Sequence, residues 1–131
     1  MDKKVGVGLI GSGFIGSIHA DSFKKINDAE ILAVMSPPPG EAQKFAEKHQ
    51  IPMHFTELDQ MLALKEIDMV IIGAPNHLHC EICVKAARSA GCNTIVVGRK
   101  SFSWLGELWH QHLCHEIVRR GEGFAVWVVC T

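Results

Sequence analysis

Apolar residues come in short runs separated by glycine, proline and polar clusters, and their spacing switches between alternation and the helical period. Lys3 to Ile10 alternates and then becomes continuously apolar through Val5, Val7, Leu9 and Ile10. That pattern predicts a strand that becomes fully buried in a parallel sheet. A glycine cluster follows, after which Ile15, Ile18, Ser22 and Ile26 recur at helical spacing. Glu30 to Met35 predicts a second strand, stopped by Pro37-Pro38-Pro39, whose missing amides and fixed φ permit neither ladder nor helix interior. Gly40 to His49 predicts the second helix. Pro52 to Phe55 is a short strand, and Thr56 is placed to cap a short helix over Glu57 to Leu62.

The alternation continues to the end of the chain. Ile67 to Gly73 predicts strand four, and Asn76 to Ala90 a helix with Leu78, Ile82, Ala86 and Ala90 on one stripe and Gly91 as its left-handed terminator. Thr94 to Val97 predicts strand five. Ser103 caps a further helix carrying Leu105, Leu108, Trp109, Leu113 and Ile117 towards Gly121, and Phe124 to Val129 predicts strand six. Six strands alternating with five helices make an α/β fold: a doubly wound parallel sheet of the Rossmann type with helices on both faces. The expected organisation is one domain over residues 1–131, without repeat, linker or low-complexity segment.

Composition narrows the function classes. Acidic and basic residues nearly cancel, for a net charge of −1, and no block of like charge occurs, so neither a nucleic-acid footprint nor a surface for anionic lipid is expected. The longest apolar runs, such as Met69 to Ile72, are strand-sized and far too short to cross a bilayer. The start Met-Asp-Lys-Lys-Val enters a strand with no secretory pattern, so a cytoplasmic protein is expected. Cys80, Cys83, Cys92, Cys114 and Cys130 make an odd count in a chain large enough to fold without staples, which favours reduced thiols.

The chemistry sits in the glycines. Gly11-Ser12-Gly13-Phe14-Ile15-Gly16 lies between a strand and a helix, where unpaired amides and the positive end of the helix dipole suit a pyrophosphate. Gly11 would make the tight turn, Gly13 would let the backbone approach the phosphates, and Gly16 would let helix and strand pack closely. Gly6-Val7-Gly8-Leu9-Ile10-Gly11 matches the same pattern but lies inside the strand and opens no helix, so context selects the later copy. The expected ligand is a nicotinamide dinucleotide, NAD or NADP. An Asp or Glu at the end of the second strand commonly binds the ribose diol, and here that position is Ser36, which can bond a hydroxyl or a phosphate or sit as a solvent-exposed turn serine.

Two segments resemble the glucose-fructose oxidoreductase / inositol dehydrogenase family, Gfo/Idh/MocA. One is Gly11 to Ala20, with His19 three residues after the last glycine; the other is Ala74-Pro75-Asn76-His77-Leu78-His79-Cys80-Glu81, continuing to Ala86-Ala87-Arg88-Ser89-Ala90-Gly91. The resemblance covers residues 3 to 97. It implies that Pro75 and Asn76 lie near the nicotinamide and its ribose, with His79 and Glu81 supporting that loop; from the residues alone, the alternatives are an N-cap for Asn76 and a packed surface histidine for His79. The cofactor-binding set is then Gly11, Gly13, Phe14, Ile15, Gly16, Ser36, Pro75, Asn76 and His79.

The resemblance stops after strand five. Where the family continues with Glu-Lys-Pro, this chain reads Val97-Gly98-Arg99-Lys100-Ser101, so the catalytic lysine's role is not carried to Lys100. The family's C-terminal α+β substrate domain is expected to be absent. The implied reaction is hydride transfer between a nicotinamide and a sugar or polyol, with this chain as the cofactor half, inactive alone. The alternative is a stand-alone NAD(P)-binding sensor or subunit. Partners beyond the dinucleotide are left open, a second copy of the chain among them. His110, His112, Cys114 and His115 invite a metal reading, but His110 and His112 fall on different helix faces, and no metal is expected. Cys80-x-x-Cys83 suggests redox chemistry but lies within the family-like helix, which favours packed thiols.

Overall fold

A computed structural model describes residues 3–89, 94–99 and 125–130. The chain divides into two compact units, Met1–Pro75 and Asn76–Thr131. The first unit runs β1 (Val5–Ile10), α1 (Phe14–Phe23), β2 (Ala29–Met35), α2 (Glu41–His49), β3 (Met53–Phe55), α3 (Leu58–Leu62) and β4 (Met69–Ile72). Its strands form one sheet in the order β3-β2-β1-β4, and every pairing is parallel. Parallel neighbours cannot be joined by a hairpin, so each connection must cross over a face of the sheet, and α1, α2 and α3 are those crossovers.

β1 has a neighbour on each side, which explains its glycine-rich, apolar sequence. Val7 and Leu9 are fully buried and join Ala20 of α1, Ile31 and Val34 of β2, and Ala42, Phe45 and Ala46 of α2 in one core cluster. On the opposite face, a side chain at Gly8 would come within 3.1 Å of Met61 Cε, so α3 packs where β1 presents no side chain. Met61 is fully buried there, worth roughly 1.5–3 kcal/mol against exposure. The sheet is therefore covered on both faces.

α2 follows its sequence pattern: Ala42, Phe45, Ala46 and His49, at i, i+3, i+4 and i+7, are its buried side. α1 does not. It buries Gly16 and Ala20, with Phe23 packed partly on the core, whereas Ile15 and Ile18 are about half exposed and Ile26 lies beyond the helix end. The isoleucines that mark the helix in the sequence are not the residues it buries. The reason is distance: α1 approaches the turn out of β1 too closely for anything but glycine at its contact point. Two element ends also differ from the expected ones. Glu57, with extended backbone, precedes α3 and no side-chain cap bond forms, so Thr56 is not the cap. Expected strand four shortens to Met69–Ile72, and at its start the Ile67 amide closes a turn on the Leu64 carbonyl instead.

The second unit opens with a 3-10 turn, Asn76–Leu78, followed by α4 (His79–Ser89). The helix expected from Asn76 thus begins as a tighter turn. Val84, Ala86 and Ala87 are its buried residues, while Leu78, expected on the apolar stripe, is exposed. β5 (Thr94–Arg99) pairs in parallel with β6 (Ala125–Cys130), with Thr94 opposite Ala125 and Arg99 opposite Cys130. Six strands occur among the described residues, four in the sheet of the first unit and two, β5 and β6, in the second. Ala90, Gly91 and the helix expected between Ser103 and Gly121 lie outside the described residues. No helix among the described residues is long and apolar enough to cross a membrane.

Candidate functional site

The turn out of β1 is held at two carbonyls. Gly11 N–H donates to Met35 O at 2.8 Å, tying the turn to the end of β2, and Gly73 N–H donates to Ile10 O at 2.7 Å, tying it to the end of β4. Gly11 has φ of 108°, which L side chains rarely adopt, and a β-carbon there would lie 2.7 Å from the Gly73 carbonyl oxygen. A β-carbon at Gly16 would lie 2.5 Å from the Gly11 carbonyl oxygen. These two glycines are required by the fold itself. Gly13 is different: it is exposed, its φ is −84°, and a β-carbon there would meet no atom within 4 Å. Nothing in the described chain needs a glycine at that position.

Gly13 is also the N-cap of α1. The first helical bond runs from Ser17 N–H to Gly13 O at 3.1 Å, so the amides before Ser17 have no carbonyl partner within the helix. No side chain caps this end, and the first turn holds no acidic residue. The helix thus presents N–H donors and the positive end of its dipole beside an open glycine, an arrangement suited to a phosphate group. Phe14, 79% exposed, and Ile15, 51% exposed, flank it. The residues fit a dinucleotide pyrophosphate, because the space at Gly13 is what a β-carbon would fill. The earlier glycine pattern behaves differently: Gly6 and Gly8 are buried, with a side chain at Gly6 overlapping the Glu66 carbonyl. Those are packing glycines.

Ser36 follows β2 directly, and its amide donates to Phe55 O at 3.0 Å. It is 5% exposed, which overturns the reading of a solvent-exposed turn serine. Its side chain is occupied: Ser12 Oγ donates to Ser36 Oγ at 2.9 Å, and Ser36 Oγ donates to Glu41 Oε2 at 3.4 Å. Ser12 Oγ also lies 3.3 Å from Glu41 Oε2. The glycine turn, the end of β2 and the first residue of α2 therefore meet in one polar cluster. Glu41 escaped the sequence reading, and an acid in the first turn after a strand-end serine was the available signal.

Pro75, exposed, lies three residues past β4, after the Gly73-Ala74 backbone that a side chain at Gly11 would strike. Asn76 and His79 belong to the second unit, Asn76 opening its 3-10 turn and His79, half-buried, opening α4. Cys80 and Cys83 are half-buried on that helix. Lys100 and the His110, His112, Cys114 and His115 group lie outside the described residues. Among the described residues no group of three or more histidine, cysteine or acidic side chains could hold a metal.

The chain is similar to known proteins over most of its described length. The family model described as an oxidoreductase family with an NAD-binding Rossmann fold (Gfo/Idh/MocA) matches residues 5–97. The chain is 34% identical over 85 residues to 2,7-anhydro-N-acetylneuraminate hydratase of Mediterraneibacter gnavus, covering 65% of this chain and 22% of that protein. It is 30% identical over 87 residues to inositol 2-dehydrogenase of Corynebacterium glutamicum, covering 66% of this chain and 26% of that protein. A crystal structure of an oxidoreductase from Desulfitobacterium hafniense superposes with a TM-score of 0.72 at 27% identity, covering 99% of this chain and 35% of that one. The chain thus spans about a quarter of the length of these two curated relatives. The family match begins at β1, takes in the glycine turn, the polar cluster and α4, and ends within β5, so the chain belongs to the Gfo/Idh/MocA oxidoreductase family through its NAD-binding Rossmann fold.

Proposed function

We propose that this chain is the cofactor-holding part of an oxidoreductase that transfers hydride between a nicotinamide dinucleotide and a sugar or polyol. Gly13 carries the reading: the fold leaves it open and unstrained, so its lack of a side chain serves a ligand lying against the α1 amides. In this reading the amino end of α1 binds the pyrophosphate, Phe14 and Ile15 border it, Ser36 belongs to the adenosine side, and Pro75, Asn76 and His79 belong to the nicotinamide side. The bound dinucleotide would supply a hydride acceptor or donor at nicotinamide C4. The inositol named for the Corynebacterium relative supports a polyol, and the hydratase name of the Mediterraneibacter relative shows that the family scaffold serves more than one reaction.

The test is calorimetric titration of the chain with NAD⁺, NADH, NADP⁺ and NADPH, repeated with Gly13→Val. At least one dinucleotide should bind the parent chain. The variant should lose that binding by at least about tenfold while still unfolding cooperatively, since its β-carbon meets no atom within 4 Å and its structural cost is that of a poorer N-cap. Equal affinity in the variant removes the cradle from the reading.

A further inference from the structure

The Ser12, Ser36 and Glu41 cluster places a carboxylate beside the glycine turn. A hydroxyl carries one proton. Both hydroxyls have the carboxylate within reach, Ser12 Oγ at 3.3 Å and Ser36 Oγ at 3.4 Å from Glu41 Oε2, with 2.9 Å between the two hydroxyl oxygens. The carboxylate is the acceptor-only member of the cluster, and both hydroxyls can donate to it. Ser36 is buried beneath the cluster while Glu41, on the first turn of α2, is exposed. Ser12 stands between Gly11 and Gly13, so the carboxylate lies one hydroxyl away from the open cradle.

We propose that Glu41, rather than the strand-end residue Ser36, selects the cofactor, favouring a free ribose diol over a 2′-phosphate and hence NAD over NADP. The proposal rests on the dinucleotide reading of the glycine turn. A carboxylate at this edge accepts hydrogen bonds from a diol and repels a phosphate dianion, and exposure on one side lets it meet a ligand without breaking its contacts to the serines. Selection has thus moved from the end of β2 to the start of α2, across the Pro37-Pro38-Pro39-Gly40 loop. Aspartate at position 36 would not reproduce it, since that carboxylate would be buried against Glu41.

The experiment measures dissociation constants of NAD⁺ and NADP⁺ for the parent chain, Glu41→Gln and Gly13→Val by calorimetry. The parent should bind NAD⁺ at least about tenfold more tightly than NADP⁺, and Glu41→Gln should narrow that ratio at least about fivefold, mainly by improving NADP⁺ binding. A measurement on the parent alone guards against misfolding of the variant: raising ionic strength should narrow the same ratio, because a screened carboxylate repels less. A parent that prefers NADP⁺, or a ratio indifferent to both Glu41→Gln and salt, overturns the role of Glu41 while leaving the cradle in place. Absence of dinucleotide binding to the parent, or full binding by Gly13→Val, overturns the cradle and with it the inference.

Discussion

Asp68 fastens the entrance of β1 to the segment leading into β4. Its Oδ2 accepts from Gly6 N–H at 2.9 Å, its Oδ1 accepts from Lys3 Nζ at 3.1 Å, and its own N–H donates to Gly6 O at 2.8 Å. The Gly6 amide first, and Lys3 second, hold the carboxyl below its ordinary value of 3.8. The unfolded chain therefore takes up this proton at a higher pH than the folded chain, and stability contributed by Asp68 is complete above the ordinary carboxylate range and disappears as pH falls through the lowered folded value. Asp68→Asn should melt lower than the parent near neutrality and converge with it in acid, as followed by circular dichroism across a pH series. Parallel melting curves at every pH would show that the carboxyl does not stabilise the fold. Asp68 was not legible in the sequence, because it acts on a residue brought to it by the fold, Gly6, 62 positions away; Glu41 showed only as an acid following a strand-end serine, its partner Ser12 lying 29 positions away. The glycine turn was legible because its pattern is local, a strand, three glycines and a helix in immediate succession.

At the scale of elements, hydrophobic period located the strands and α2 well and misjudged α1. Period weighs large apolar side chains, and α1 meets the core through Gly16 and Ala20, which such a count barely registers. The same close approach gives an expected outcome. Gly16→Ala places a methyl carbon 2.5 Å from the Gly11 carbonyl oxygen, a backbone atom that cannot swing aside, so the helix must move off the turn. The cost should be roughly 1–3 kcal/mol, the range for overpacking a tight contact. Urea denaturation should show a lower midpoint for Gly16→Ala with an unchanged slope. Gly13→Val, three residues earlier on the exposed side of the same turn, should lower the midpoint by less, since its β-carbon meets no atom within 4 Å and only the N-cap preference is lost. If the two variants unfolded alike, the division between a packing glycine and a ligand glycine would be lost. Cap chemistry was less legible than period: Thr56 looked suited to cap α3, yet the helix begins after Glu57 with no side-chain cap bond.

For the whole molecule, the expected outcome is binding without turnover. Hydride transfer requires a carbinol carbon held against nicotinamide C4 and a proton acceptor within hydrogen-bond reach, and positioning alone supplies roughly 7–11 kcal/mol of the barrier in well-oriented systems. The family match ends at residue 97, within β5, and the next residues, Gly98-Arg99-Lys100, lack the glutamate and proline that flank the family's lysine. The 131-residue chain also spans 26% of the inositol 2-dehydrogenase it resembles, so most of that protein's length has no counterpart in it. A cradle that binds a dinucleotide through α1 has no need of those parts; a reaction does. The purified chain, supplied with NAD⁺ or NADP⁺ and a panel of sugars and polyols that includes inositol, should show no cofactor reduction at 340 nm above the enzyme-free rate, under conditions where calorimetry finds the dinucleotide bound. Turnover that persisted in the parent and vanished in Lys100→Ala would reverse this, making the chain a complete catalyst with Lys100 at its reacting centre.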